Sequence, residues 1–221
     1  MSAERGVLWD MDGVLVDTGE YHFRAWSQAL PDYGLTMTPE FFRATFGMNN
    51  AGLVSMLLGR TPEPEFLAEL SERKEAQFRE LLRGRVQPLP GVRLWLERLK
   101  AEGVPQAIAS SAPLANIDAI IDELGLRSHF AVILTGIDLP GKPDPTLFLK
   151  AARLIDVPPE RCVVVEDAVA GVEAAKSAGM RCIAVTTTNP AGALDGADVV
   201  VERLDALPQD AFARLLRENK A

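Results

Sequence analysis

The sequence predicts an α/β protein: a doubly wound, mostly parallel sheet carrying an inserted all-helical segment. Three observations predict it. Short apolar runs alternate with helical patterns along most of the 221 residues, each run gives out in small or polar residues, and from about Thr18 to Gln87 the alternation stops while helical periodicity continues.

The first run, Val7-Leu8-Trp9, ends in Asp10-Met11-Asp12-Gly13-Val14-Leu15. Alternate side chains of a strand share a face, so Asp10 and Asp12 address one point only where the chain begins to bend, and Gly13 supplies the bend. Two buried like charges are costly without a cation, and Mg²⁺ is the usual partner of oxygen ligands at a strand end. In the helical segment, Phe66, Leu70, Phe78 and Leu81 trace one face of a long helix beginning after Pro64, with Glu69, Glu72, Arg73 and Glu75 expected on a solvated face. The turn Pro88-Leu89-Pro90-Gly91 marks the return to the sheet. The expected division is therefore residues 1–17 and 88–221 as an α/β domain and 18–87 as a helical one.

Beyond that turn, strands are expected at Gln106-Ala107-Ile108-Ala109-Ser110, Val132-Ile133-Leu134-Thr135, Cys162-Val163-Val164-Val165-Glu166 and Arg181-Cys182-Ile183-Ala184-Val185-Thr186. Helices are expected over Gly91–Glu102, Leu114–Leu124, Pro145–Ile155 and Val169–Ala178, three of them stopped by Gly103, Gly125 and Gly179. The tail, Pro208 to Ala221, reads as one amphipathic helix with Phe212, Leu215 and Leu216 inward.

Composition narrows the function. A net charge of -8 argues against nucleic acid or an anionic membrane surface as partner. With no apolar stretch of bilayer-spanning length and no signal peptide ahead of the first strand, a cytoplasmic location is expected. Cys162 and Cys182 each open an apolar run and read as small buried side chains.

Ligands of such sheets bind beyond the carboxyl ends of the strands, and four polar clusters fall there. The first is Asp10 with Asp12. Ser110-Ser111 is the second; its hydroxyls and the early N–H groups of the following helix suit a phosphate oxygen, although serine is also an ordinary helix cap. Lys142, in Gly141-Lys142-Pro143-Asp144-Pro145, is held by a rigid turn, where a lone lysine is usually solvated. Glu166-Asp167 closes the most apolar strand, and two adjacent acids there repel unless they share a hard cation; Asp167 also reads as a helix N-cap.

In this order and spacing the four motifs resemble the haloacid dehalogenase superfamily of phosphotransferases, over essentially the whole chain. The resemblance implies a Rossmann-like core with a helical cap. It also implies Asp10 as the nucleophile that becomes an aspartyl phosphate and Asp12 as the general acid/base. Asp10, the Asp12 main-chain carbonyl and Asp167 would hold Mg²⁺ with Glu166 in support, and Ser110 and Lys142 would neutralise the phosphoryl oxygens. True dehalogenases lack the second aspartate, so Asp12 favours phosphate esters.

The stretch Asp17-Thr18-Gly19-Glu20-Tyr21-His22-Phe23-Arg24-Ala25-Trp26 resembles the cap entry of the β-phosphoglucomutase-like group, which implies that His22 and Trp26 face the substrate; by spacing alone they also read as a core pair at i, i+4. Arg24 reads as solvated. The loop Phe46-Gly47-Met48-Asn49-Asn50-Ala51 is the expected reader of the leaving group, through Gly47, Asn49 and Asn50, and Ser111 is expected to bind substrate as well. That loop holds no base, and Ala112 and Pro113 stand where mutases place a serine and a lysine. Charge-assisted contacts are about twice as strong as neutral ones, so a second phosphate should be gripped weakly. The expected activity is a Mg²⁺-dependent phosphatase for a small phosphorylated metabolite, a sugar or polyol phosphate, in a monomer or weak dimer. A phosphosugar isomerase is the alternative, and a catalytically silent binding relative a third. His129, Met37, Met48 and Met56 are expected to be structural.

Overall fold

A computed structural model describes residues 5–217, with side chains through 215. Its sheet has six parallel strands: β1 (Gly6–Trp9), β2 (Gln106–Ser110), β3 (Val132–Thr135), β4 (Cys162–Glu166), β5 (Arg181–Val185) and β6 (Val199–Val201), in the order β3-β2-β1-β4-β5-β6. β1 lies between β2 and β4, and the register sets Trp9 beside Ile108 on one side and Val165 on the other. Consequently Asp10, Ser110 and Glu166 all emerge at the same end of the sheet. The Asp10 N–H continues the ladder to the Val165 carbonyl at 3.0 Å. β6 was not expected; three valines at a sheet edge are too short a run to show a period.

Each face of the sheet has its own core, as the alternation of strand side chains requires. On one face Val7, Trp9, Ile108, Val163, Val165 and Ile183 pack against α5 (Val92–Ala101), α6 (Leu114–Glu123) and α9 (Ala211–Arg217), through Trp95, Leu96, Ile117, Ile121, Phe212 and Leu215. On the other, Leu8, Ala107, Val164 and Ala184 meet α7 (Thr146–Leu154) and α8 (Val169–Ser177) through Phe148, Ala151 and Val172. The buried Gln106 side chain ties these layers at the first core: it accepts from Trp9 Nε1 and donates to the Leu96 carbonyl, both at 3.0 Å. Phe212 and Leu215 face inward as expected, while the Leu216 side chain and the tail beyond 217 lie outside the described residues. Cys162 and Cys182 are buried free thiols, and burial pushes Cys162 up to about 12, so it stays protonated and inert.

Between β1 and α5 stand α1 (Gly19–Ala29), a 3₁₀ turn at Leu30–Tyr33, α2 (Pro39–Thr45), α3 (Asn50–Leu58) and α4 (Pro64–Leu82), with no strand among them. Proline opens α2 and α4, where a missing N–H costs nothing, and the Thr38 and Asn49 side chains cap α2 and α3 by accepting from Phe41 and Gly52 at 3.1 and 2.8 Å. Trp26, Leu30, Met37, Phe42, Leu53, Val54 and Leu70 form a third core. Phe78 and Leu82, further along α4, leave that core and join the first one. Where the chain departs from and returns to the sheet, it runs side by side: Val16 bridges Pro88, and the Leu89 N–H donates to the Leu15 carbonyl at 2.9 Å.

Two expectations about this segment fail. Of the three methionines expected to pack, only Met37 is buried; Met48 and Met56 are 47% and 53% exposed, on a loop and an outer helix face that nothing covers. Glu75 is not on the solvated face either. It is buried together with Lys74, where α4 faces His22 of α1, Asn50 of α3 and Asn116 of α6. Among the described residues no helix is long and apolar enough to cross a membrane.

Candidate active site

Asp10 leaves the central strand already buried, and the turn that follows is closed by Gly13 at φ +80. A Cβ at Gly13 would stand 1.9 Å from Asp167 Oδ2, so only glycine lets the two acidic segments approach. From the loop after β3, Lys142 Nζ reaches between Asp10 Oδ1 and Glu166 Oε1, at 2.5 Å from each. Glu166 spends its other oxygen on the N–H groups of Asp167 (2.7 Å) and Ala168 (2.9 Å), so both of its oxygens are occupied. Asp167 is held by the loop after β5: Thr188 donates to its carboxylate and Asn189 Nδ2 to its carbonyl at 3.0 Å. Ser110 is buried and accepts from the Ala112 N–H at 3.1 Å, with Ser111 beside it on the wall of the same cavity.

Gly171, on α8, is as necessary as Gly13. A Cβ there would fall 1.8 Å from Glu166 Oε1, the oxygen that holds Lys142. Gly171→Ala is expected to displace Glu166, cost about 1–3 kcal/mol of stability and lower turnover out of proportion to the unfolded fraction. Urea unfolding and a rate measured on the same sample check this; wild-type turnover would contradict it.

Asp12 faces a second set of groups, contributed by the helical segment. Its Oδ1 accepts from Thr18 at 2.5 Å and lies 3.4 Å from His22 Nε2. His22 stacks on Phe78 at 3.9 Å, and its Nδ1 is 2.8 Å from Lys74 Nζ. An ammonium group only donates, so Nδ1 accepts and the neutral ring carries its proton at Nε2, toward Asp12. Burial and Lys74 both push His22 down, in keeping with that neutral form. Burial would raise Asp12, but the hydrogen bonding toward His22 and Thr18 and the charge of Lys74 outweigh it and hold the carboxyl below its usual range.

Lys74 in turn donates to Glu75 Oε1 at 2.8 Å, and that carboxylate also accepts from Asn50 (2.9 Å) and from Asn116 Nδ2 (2.6 Å). Asn116 belongs to α6 of the sheet layer, and its Oδ1 accepts from Arg79 of α4 at 2.8 Å. This buried network joins the helical segment to the sheet layer, with every member hydrogen-bonded, as buried charge requires.

The expected site residues are thus brought to one cavity of about 390 Å³, lined by Asp10, Asp12, His22, Trp26, Gly47, Asn49, Asn50, Ser110, Ser111, Lys142, Glu166 and Asp167. His22 and Trp26 divide between their two readings: His22 points at Asp12, while Trp26 is buried in the helical core as well as lining the cavity, with Lys74 Nζ over its ring at 5.3 Å from the centroid. Arg24 is solvated and His129 does not line the cavity. Missing from the expectation are Thr18, Arg43, Lys74, Glu75, Asn116, Thr188 and Asn189. Lys74 was readable: it interrupts the stripe Phe66, Leu70, Phe78 at the same four-residue spacing. Thr188-Asn189, at the carboxyl end of β5, obeys the rule that pointed to the other strand ends.

Four carboxylates and one close lysine leave the floor of this cavity short of positive charge. Burial pushes Asp10 from 3.8 up to about 7 despite Lys142, and burial with the charges of Glu166 and Asp10 holds Asp167 well above its ordinary range. Lys142, by contrast, is raised: burial alone would lower it, but Asp10 and Glu166 outweigh burial. Among the described residues no three acidic, histidine or cysteine side chains form a ready-made metal cluster. The donors present nevertheless fit a hard divalent cation, since Asp10 and Asp167 each have one oxygen engaged by the protein and carry excess negative charge.

The fold and this cluster define the class: the haloacid dehalogenase-like hydrolase family matches residues 4–179, and the chain belongs to it. Among curated proteins it is 34% identical over 212 residues to a β-phosphoglucomutase of Bacillus subtilis, covering 92% of this chain and 91% of that one. It is 32% identical over 205 residues to the chloroplastic 5-amino-6-(5-phospho-D-ribitylamino)uracil phosphatase of Arabidopsis thaliana, covering 91% of this chain but 55% of that longer protein. Among solved structures, CbbY from Rhodobacter sphaeroides in complex with phosphate superposes with a TM-score of 0.85 at 28% identity, over 93% of this chain and 96% of the other.

Proposed function

We propose that the protein is a Mg²⁺-dependent phosphatase that hydrolyses a small sugar or polyol phosphate through an aspartyl phosphate on Asp10. The observation that carries this reading is the separation of two aspartates into two environments. Asp10 is held by Lys142 beside Asp167, and Asp12 is held by Thr18 and faces His22. An oxygen of Asp10 attacks phosphorus, forming the acyl phosphate, while the ester P–O bond breaks and the leaving oxygen takes a proton from Asp12. A substrate dianion placed beside Asp12 raises its affinity for that proton. Asp12, now a carboxylate, then takes a proton from the water that attacks phosphorus, releasing inorganic phosphate and restoring Asp10. Lys142 and Ser110 face the phosphoryl oxygens, where positioning and charge neutralisation supply most of the catalysis. Mg²⁺, held by Asp10, Asp167 and the Asp12 carbonyl, would add the positive charge that the transferring group requires, with Glu166 orienting Lys142 from behind.

In this reading residues 18–87 work as a cap over the core formed by 1–17 and 88–221. Thr18 and His22 reach Asp12 from the cap side, with Lys74 behind His22, so closure completes the acid/base environment and excludes water together. A phosphosugar isomerase is the second reading, favoured by Arg43 and Lys74 on the cavity wall. Incubation with β-glucose 1-phosphate and catalytic bisphosphate decides between them. Inorganic phosphate equal to substrate consumed supports the phosphatase; glucose 6-phosphate without it supports the isomerase.

Metal dependence has a thermal signature with a defined sign. The folded state binds the Asp10 proton more tightly than the unfolded chain, so the metal-free protein is expected to lose stability as pH rises from 3.8 to about 7, with Asp167 acting in the same direction. Bound Mg²⁺ replaces those protons. Its effect on Tm, measured against EDTA, should be larger at about pH 7.5 than at about pH 5; a gain that does not vary with pH would contradict the assignment.

A further inference from the structure

The mouth of the cavity is apolar in a way that the chemistry at its floor does not require. Met48, Ile137 and Val169 are 47%, 43% and 38% exposed, yet all three line the opening. They come from three separate places: the loop before α3, the turn after β3 and the first residue of α8. Single exposed apolar side chains need no explanation; three from separate elements converging on one opening do. Closure of the helical segment does not account for them, because the two sides already stand so close that an added methyl would bring them into contact. A Cβ on Gly47 would lie 3.8 Å from Ala168 Cβ, and one on Gly141 would lie 3.7 Å from Asn49 Nδ2. Ala112 and Pro113 continue the apolar wall inward toward Ser110. Of the two bases on the cap side, Lys74 is buried and held by Glu75 at 2.8 Å, and Arg43 is largely exposed and pairs with Glu40 at 3.1 Å, directed to solvent more than to the lip.

Resting on the phosphatase reading, we infer that the substrate is a phosphate monoester whose end remote from the phosphate is an uncharged ring, seated between Met48 on one lip and Ile137 and Val169 on the other. A thioether against a ring edge is a favourable and adaptable contact, and the two branched side chains offer it a stiff opposing wall. A second phosphate or a carboxylate seated between Met48, Ile137 and Val169 would lose its hydration to apolar side chains that offer no hydrogen bond in return. The cavity volume of about 390 Å³ lies within the range of pockets that enclose such ligands.

The test uses two esters with leaving alcohols of nearly equal acidity, propyl phosphate and 3-phenylpropyl phosphate, and reads kcat/KM from phosphate release by the full chain with Mg²⁺. The expected result is a preference of about tenfold or more for the phenyl ester, carried mainly in KM, that shrinks severalfold in the double variant Met48→Ser, Ile137→Ser. Phosphate release from both esters at equal kcat/KM in the wild type would overturn this inference and leave the phosphatase reading standing. A wild-type preference that the double variant keeps would place the ring elsewhere and overturn it as well. Release from neither ester, nor from any sugar phosphate, would remove the phosphatase reading and this inference with it.

Discussion

Replacing Asp10 with asparagine is expected to lower phosphate release by about 10⁴-fold or more while leaving the fold intact. Asparagine has the same shape but no anionic oxygen to attack phosphorus. The stability consequence should be small, because two effects oppose each other. Lys142 loses one of its two carboxylates but keeps Glu166 at 2.5 Å, while Asp167 and Glu166 lose a like-charged neighbour. The check is a rate on purified variant alongside its urea midpoint. A variant with normal turnover would show that phosphoryl transfer bypasses Asp10, and one that is silent because it is unfolded would be exposed by the midpoint.

Lys142→Met is expected to do more damage to the fold. The lysine is the close cation of the cavity floor, 2.5 Å from both Asp10 and Glu166 and 5.1 Å above the Phe148 ring. Its removal leaves buried carboxylates facing one another. Breaking a buried pair from one side typically costs about 3–5 kcal/mol, and that cost should appear in the metal-free protein and shrink when Mg²⁺ is added. Turnover should fall by about 10³-fold even with saturating Mg²⁺, because a fixed donor to the phosphoryl oxygens is gone. Equilibrium unfolding in EDTA and in Mg²⁺ separates the two effects. A loss below about 1 kcal/mol in EDTA would mean that these buried ion pairs contribute no more than exposed ones do.

The contrast between these residues and Lys74 shows what a sequence makes visible. Asp10, Ser110, Lys142 and Glu166 stand at the ends of strands or on the turn beyond one, and the strand period with parallel pairing brings such positions to one edge. Local patterning therefore sufficed. Lys74 and Glu75 are adjacent on an amphipathic helix, a pattern that normally means solvent. Their burial follows from what lies across from α4: His22 from α1, Asn50 from α3 and Asn116 from α6. Such a surrounding is a tertiary fact, and only the break in the Leu70–Phe78 stripe hinted at it. The edge strand Val199–Val201 and the exposed methionines escaped for the complementary reason, since neither a three-residue run nor an isolated thioether reports which neighbours will cover it. Helix limits fared better, as Gly103, Gly125 and Gly179 each take a left-handed conformation just past a helix end.

The Asn116 side chain accepts a hydrogen bond from Arg79 and donates one to Glu75, so one amide of α6 holds α4 at two points. Separating α4 from α6 at this point would therefore cost both hydrogen bonds together and leave the Glu75 carboxylate to be rehydrated in the same step.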